Sequence, residues 1–284
     1  MANILITGIN GFLGSNLAKR LLKQHNVIGM EYSLHNLFRI NDLSLLVYSS
    51  NEKEYTEILD DHKIEIILHT ATFYGRNNEE ISQVFDSNLV MPFKLLNSAC
   101  KSKTKLFINI DSALEKYVSP YALSKKQFKD WLYIQRFKIR SINMQLEHFY
   151  GSGCNNSNFI TYIIEKLKQN EPSIDFTLGE QQRDFIYYTD VIDAFELLID
   201  KHEDLQSNFE HFEIGTNKLI SIRDLVILLK NLTNSSSKLN FGALPYRENE
   251  IMHSEADISK LVNIGWKPKI NLEDGLFRTI NNIG

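Results

Sequence analysis

Along the first half of the chain, short apolar runs alternate with stretches whose apolar residues recur every three or four positions. Residues 3–8 (NILITG), 26–31 (NVIGME), 64–71 (IEIILHTA) and 104–112 (TKLFINIDS) read as buried strands, and 140–151 (RSINMQLEHFYG) as another. Residues 12–24, 54–62, 82–102 and 121–137 carry helical patterns, with Pro92 placed to kink or tighten the third. Strands alternating with helices predict right-handed βαβ crossovers, hence an α/β fold built on a doubly wound parallel sheet.

The second half is less regular. Residues 158–170 are helical, 183–200 read as strand or turn and then helix, and 212–215 as a short strand. Residues 221–234 form a helix with Ser221 as its cap, 234–238 (NSSSK) a polar loop, and the stretch from Leu239 a mixture of loop and helix. There is no internal repeat and no low-complexity linker, so the two halves interleave.

The first strand runs directly into ITGINGFLG, which opens the first helix. Gly8, Gly11 and Gly14 give the spacing that a dinucleotide's pyrophosphate requires. Gly8 permits the tight turn, Gly11 lets backbone N–H groups approach the phosphates, and Gly14 lets the helix pack close to the sheet; the helix N-terminus adds partial positive charge. Glu31 ends the second strand 17 residues beyond Gly14, where a carboxylate can accept both adenine-ribose hydroxyls and repel a 2′-phosphate. Arg39 would change that balance if its loop folded back. A Rossmann-type, dinucleotide-binding domain of residues 1–150 plus about 184–215 is therefore expected, with a smaller interleaved C-terminal domain of about 151–183 plus 216–284.

The stretch SPYALSK opens the helix at 121–137. Ser119 suits the N-cap and Pro120 the first helical position, so Tyr121 and Lys125 share one helical face. Alone, that pair is commonplace; behind a phosphate loop it becomes a candidate acid and its partner. The 284 residues are 43% hydrophobic and 23% charged with net charge −4, and no basic stripe points to nucleic acid. The opening MANILITG lacks the features of a signal peptide, and no apolar run approaches a membrane span. Cys100 and Cys154 show no paired spacing, so neither a disulfide framework nor a metal site is expected, and a cytoplasmic setting is the simplest.

These residues resemble the extended short-chain dehydrogenase/reductase superfamily, in its nucleotide-sugar-modifying branch. The resemblance is carried by TGINGFLG, ILHTATFYG, NLVMPFKLLNSA, INIDSA, YALSK, LEHFYG, GEQQRDFIYYTDVIDAF and ADISKLVNIGWKPK, in order along nearly the whole chain. Within it, ATFYG, NIDS, LEHFYGSG and RENEIMHSEAD are most similar to the CDP-abequose and CDP-paratose synthase group, which reduces the C4 ketone of a CDP-linked 4-keto-3,6-dideoxyhexose for surface polysaccharide such as O-antigen. The resemblance implies Ser112, Tyr121 and Lys125 as catalytic residues. It implies Gly8, Asn10, Gly11, Phe12, Leu13, Gly14, Glu31, Ala71, Tyr121 and Lys125 around the cofactor, and Tyr74, Ser112, His148, Arg183 and Arg247 around the substrate, with no metal. The smaller domain would then bind the nucleotide sugar.

Departures from the family pattern matter as much. The dehydratases carry Asp-Glu after the catalytic Thr; Ala113 and Leu114 stand there and cannot shuttle protons, which argues against dehydration. Where many members have Asn, this chain has His148, near the substrate or in the core. Asp111, before Ser112, has no role assigned by the pattern.

Reducing a ketone adds hydride to carbon and a proton to oxygen, and the proton donor must lie within hydrogen-bond reach. An ammonium about 5 Å from a phenol, at an effective dielectric near 20, stabilises the phenolate by about 3 kcal/mol, which is the purpose expected of Lys125. The leading expectation is an NAD(P)H-dependent 4-ketoreductase of a CDP-linked deoxyhexose. The alternatives are a 4-epimerase that retains NAD and, more remotely, a non-catalytic dinucleotide sensor. Glu31 favours NAD(H), with NADP(H) the alternative. The expected partners are a nucleotide sugar and a second copy of the chain in a homodimer, with neither nucleic acid nor membrane. The base, the sugar and the C4 stereochemistry are not readable from the sequence.

Overall fold

The computed structural model describes residues 1–76 and 79–282. Its strands, in chain order, are β1 Asn3–Thr7, β2 Asn26–Glu31, β3 Leu46–Ser49, β4 Ile66–His69, β5 Leu106–Ser112, β6 Arg140–Leu146, β7 His148–Tyr150, β8 Ser173–Phe176, β9 Gln182–Tyr187, β10 Phe209–Ile214, β11 Leu219–Ser221, β12 Lys238–Phe241 and β13 His253–Ser254. The α-helices are α1 Phe12–Leu21, α2 Tyr55–Asp61, α3 Ile81–Phe85, α4 Met91–Ala99, α5 Pro120–Gln135, α6 Phe159–Lys168, α7 Tyr188–Lys201, α8 Ile222–Thr233, α9 Ser259–Asn263 and α10 Leu272–Ile280. The chain divides into two compact units, Met1–Gln145 with Phe195–Phe212, and Leu146–Ala194 with Glu213–Gly284.

The first unit is built on a seven-stranded sheet in the order β10-β6-β5-β4-β1-β2-β3. β1 pairs in parallel with β2 and β4, β2 with β3, and β4 with β5, so the expected doubly wound α/β sheet is present. All four residues of β4 are buried, as are six of the seven in β5, as expected of strands covered on both faces. Strand order reverses between β1 and β4, and ligands of such sheets bind beyond the carboxyl ends of the strands at that point. The core on one side of the sheet joins Leu5, Ile67 and Phe107 to Leu96, Phe128 and Leu132 from the helices.

The second unit holds two small sheets. In one, β9 pairs in parallel with β7 and β13 and antiparallel with β11; in the other, β8 pairs in parallel with β12.

Several elements depart from the sequence reading. The stretch 140–151 is two strands, because the chain leaves the large sheet after Leu146 and His148 pairs with Phe185 instead. The stretch 82–102 contains a π-helical turn at Asp86–Val90, just before Pro92, whose missing N–H cannot close the ordinary i−4 bond. β3, β8, β11, β12 and β13 were not anticipated; none is longer than four residues, and β3 lies at the edge of its sheet, where only one neighbour fixes it. The two expected caps are present: Ser119 accepts the Ala122 N–H at 3.1 Å and Ser221 that of Asp224 at 3.0 Å, each worth about 1 kcal/mol.

Candidate active site

In the first unit the sequence-predicted residues gather at the carboxyl ends of β1, β2, β4 and β5. Gly8 follows β1 with φ of +66°, a left-handed conformation that glycine adopts without strain. A Cβ on Gly8 would stand 2.6 Å from the Ala71 Cα, and one on Gly14 would overlap the Gly8 carbonyl oxygen. The turn therefore needs glycine at both positions. Gly11 donates its N–H to the Gly8 carbonyl at 2.9 Å and stands at the N-cap of α1. No side chain caps that helix and no acidic residue occupies its first turn, so its end is open to an anion. Leu13 is buried into the core and Phe12 opens the helix beside it.

Glu31 ends β2. Its carboxylate accepts the N–H groups of Asn10 and Tyr32, both at 3.0 Å, and so ties the phosphate loop to the second strand. The Arg39 loop does fold back: the Arg39 N–H reaches the Asn10 side-chain oxygen at 3.0 Å, and the Asn10 amide donates to the Asn36 carbonyl at 2.9 Å.

β5 ends in Ser112, and Tyr121 lies in the first turn of α5. The Ser112 side chain lies near enough to Tyr121 to lower its pKa, and its hydroxyl accepts the Leu114 N–H at 3.2 Å. Tyr74 from the segment after β4 packs on Tyr121 with ring centroids 4.9 Å apart, and the Arg76 guanidinium lies 4.3 Å from the Tyr74 ring centre. Burial, first, and then Tyr74 and Asp111 raise the Tyr121 phenol well above its ordinary value; Ser112 and Arg76 oppose them. Lys125 is 1% exposed, and its Nζ has no hydrogen-bond partner. Burial pushes its ammonium down to about 8, against the pull of Asp111. In the ligand-free protein, burial is the largest influence on the Tyr121 phenol.

Three supporting residues were not singled out from sequence. His69, at the end of β4, is fully buried, with Nδ1 2.7 Å from the Thr7 hydroxyl; burial and Lys125 depress its pKa, so the ring is neutral. Asn88, in the π turn, accepts the Phe73 N–H at 2.9 Å and donates to the Phe73 carbonyl at 2.7 Å, pinning the segment that carries Ala71 and Tyr74. Its place in that turn, before Pro92, is the only sequence signal for it. Lys126 bonds Asp111, Ser112 and Gln145.

The remaining predicted residues lie in the second unit, on or near one small sheet. His148 begins β7 beside Phe185 of β9, ring centroids 5.5 Å apart, and its Nδ1 is 3.3 Å from the Glu147 carboxylate. Glu147 also accepts the Ser254 hydroxyl at 2.8 and 2.9 Å. Arg183, on β9, forms a largely buried ion pair with Glu250 at 3.0 Å, and burial lowers the guanidinium's pKa. Arg247 is exposed in the turn that reaches Glu250, whose N–H donates to the Arg247 carbonyl at 3.1 Å.

The first-unit site suits a dinucleotide on three counts: a glycine turn that side chains would fill, an open helix N-terminus, and a buried ammonium without a partner. Among the described residues no group of His, Cys, Asp or Glu is arranged to hold a metal ion, and no helix is long and apolar enough to cross a membrane.

Comparison with known proteins agrees with this reading. Residues 4–215 match the family described as NAD dependent epimerase/dehydratase. The chain is 34% identical to a CDP-abequose synthase of Salmonella muenchen over 98% of this chain and 97% of that protein. It is 31% identical to a CDP-abequose synthase of Salmonella typhimurium over 96% and 95%. Its fold is shared with a UDP-glucose 4-epimerase of Thermotoga maritima solved with UDP-glucose, at a TM-score of 0.87 and 24% identity, covering 98% of this chain and 97% of that one.

Proposed function

The chain belongs to the NAD dependent epimerase/dehydratase family, and from that premise we propose that it reduces the C4 ketone of a CDP-linked 4-keto-deoxyhexose with NADH. It is an NAD-dependent, nucleotide-sugar-modifying oxidoreductase. The observation that carries the finer reading is the Tyr121 phenol beside Ser112, its pKa raised by burial so that it keeps its proton. A ketoreductase must begin with a protonated donor, whereas an epimerase must begin by taking a proton from a hydroxyl, for which it needs the phenolate. Ala113 and Leu114 leave no proton carrier for dehydration. The CDP-abequose synthases matched over nearly the full chain favour CDP and a 3,6-dideoxy sugar.

In this reading Ser112 donates a hydrogen bond to the ketone oxygen and Tyr121 donates the proton. The phenolate left behind is stabilised by the Ser112 hydroxyl and by Arg76, the two groups that lower the Tyr121 pKa. When bound, NADH supplies the hydride. Gly8, Asn10, Gly11, Phe12, Leu13 and Gly14 would hold its pyrophosphate, Glu31 the adenine ribose, Ala71 the strand end beside it, and Lys125 the nicotinamide ribose. Tyr74 would flank the sugar. The second unit would take the nucleotide: His148, Arg183 and Arg247 supply donors to a pyrophosphate, and Arg is suited to bond it as a fork. α3 and α5 leave Ile81, Phe85, Trp131 and Ile134 exposed, which supports a homodimer through those helices. Cys100 and Cys154 are not joined in a disulfide, which accords with a cytoplasmic enzyme supplying surface-polysaccharide synthesis.

The test is incubation with a CDP-4-keto-3,6-dideoxyhexose and NADH, following loss of reduced cofactor and the C4 configuration of the product. Stoichiometric oxidation is expected, and Tyr121→Phe should lose on the order of 10²–10⁴ in rate while still binding NADH. Interconversion of 4-hydroxy epimers with tightly retained NAD and no net oxidation of NADH would replace the ketoreductase with the epimerase.

A further inference from the structure

Asp111 is the one buried carboxylate at the end of β5, and the proton transfer described above does not use it. Its side chain is fully shielded from solvent. One oxygen accepts the Ser112 N–H at 2.7 Å; the other accepts the Asn143 amide at 3.0 Å and the Lys126 ammonium at 3.2 Å. Lys126 also donates to the Ser112 carbonyl at 2.6 Å and to the Gln145 side chain at 2.9 Å, so all three of its protons are engaged. Asn143 is itself held, by the Asn109 amide at 2.7 Å and at His211 at 3.1 Å. Two neighbouring lysines of α5 thus differ completely: Lys125 has no partner and Lys126 has three. Successive helical positions point about 100° apart, so one ammonium is left for a ligand while the other is built into the scaffold.

This arrangement answers a specific difficulty. A buried carboxylate close to a phenol that must become phenolate opposes that change. The charged and titratable groups acting on Tyr121 are Tyr74 and Arg76 from the segment after β4 and Asp111 from β5; Lys125 and Lys126 follow it on its own helix. The Lys126 ammonium, 3.2 Å from Asp111, opposes that carboxylate's charge.

We propose that Asp111 and Lys126 are positioning residues for the ketone reduction, gripping the Ser112 main chain at both its N–H and its C=O, with Lys126 offsetting part of the charge that Asp111 brings near Tyr121. The role in turnover rests on the ketoreductase reading; the electrostatic part does not. Asp111 acts on both active-site groups, raising the pKa of Tyr121 and of Lys125.

The experiment compares wild type, Lys126→Met, Asp111→Asn and the double variant, each saturated with NAD. Ionisation of Tyr121 is followed by the ultraviolet absorbance of its phenolate, with Tyr121→Phe subtracted. Lys126→Met should move the titration up by about one pH unit, as an unmatched charge at about 7 Å and an effective dielectric near 40 would. Asp111→Asn should move it down by a similar amount, and the double variant should return near wild type. Lys126→Arg, which keeps the charge and the donors, should stay near wild type and guards against loss of folding in the methionine variant. Where ketone reduction is measured, its pH profile should shift in the same order with cofactor affinity little changed. Identical titrations in all four proteins, or a double variant displaced as far as either single one, would overturn the proposal. Failure of wild type to reduce any nucleotide-linked 4-keto sugar would instead overturn the functional reading, and the titration would still decide this one.

Discussion

Replacing Lys125 with methionine should stabilise the ligand-free protein. The Lys125 ammonium is 1% exposed and has no hydrogen-bond partner, and its pKa falls from 10.5 to about 8. That shift corresponds to about 3 kcal/mol of disfavour for the charged form. Because the folded-state value lies below the unfolded one, the unfolded chain binds more protons between those values, and stability rises with pH there. The cost is present in full below pH 8, eases as pH rises, and is gone above 10.5. Lys125→Met removes the charge and keeps an unbranched side chain of similar reach. Urea unfolding near pH 7 should therefore find the variant more stable by about 1–3 kcal/mol. The advantage should shrink by about 2 kcal/mol at pH 9.5, as wild type sheds the proton. Saturating NADH should reverse the order, because only wild type gives the cofactor a buried ammonium to bond. A variant less stable than wild type at pH 7, or a difference that does not change with pH, would refute the reasoning.

The two arginines of the second unit should separate. Arg183→Ala breaks a largely buried pair and strands Glu250, so it should cost about 3 kcal/mol in urea unfolding as well as substrate affinity. Arg247→Ala, at an exposed position, should stay within about 0.5 kcal/mol of wild-type stability and weaken only nucleotide-sugar binding, read by calorimetric titration. Equal losses of cofactor and substrate affinity in both would make them scaffold residues. Glu31→Ser should reduce the preference for NADH over NADPH by about tenfold. The basis is a repulsion of roughly 1.4 kcal/mol between unit charges 6 Å apart at an effective dielectric of 40. Paired NADH and NADPH titrations with an unchanged ratio would remove Glu31 as the selector, and would turn attention to the folded-back Arg39 loop.

What was legible in the sequence is what local spacing encodes. The β1–α1 turn could be read because an apolar run, three glycines and a helical period lie within twenty residues. Ser119, Pro120, Tyr121 and Lys125 could be read because a cap and an i,i+4 pair are properties of one helix. β3, β8 and β12 were missed because four-residue strands are held by partners distant in sequence. The break at Glu147 was missed for the same reason: an apolar run says that a segment is buried, not in which sheet. The case of the two lysines goes further. Lys125 and Lys126 are chemically identical neighbours, and only the fold decides that Asp111, Ser112 and Gln145 satisfy one and leave the other bare. A buried ammonium without a partner is costly to keep. A chain that could have paired Lys125 with a carboxylate, and pairs its carboxylate with Lys126 instead, leaves much of that cost in place where a ligand hydroxyl would relieve it.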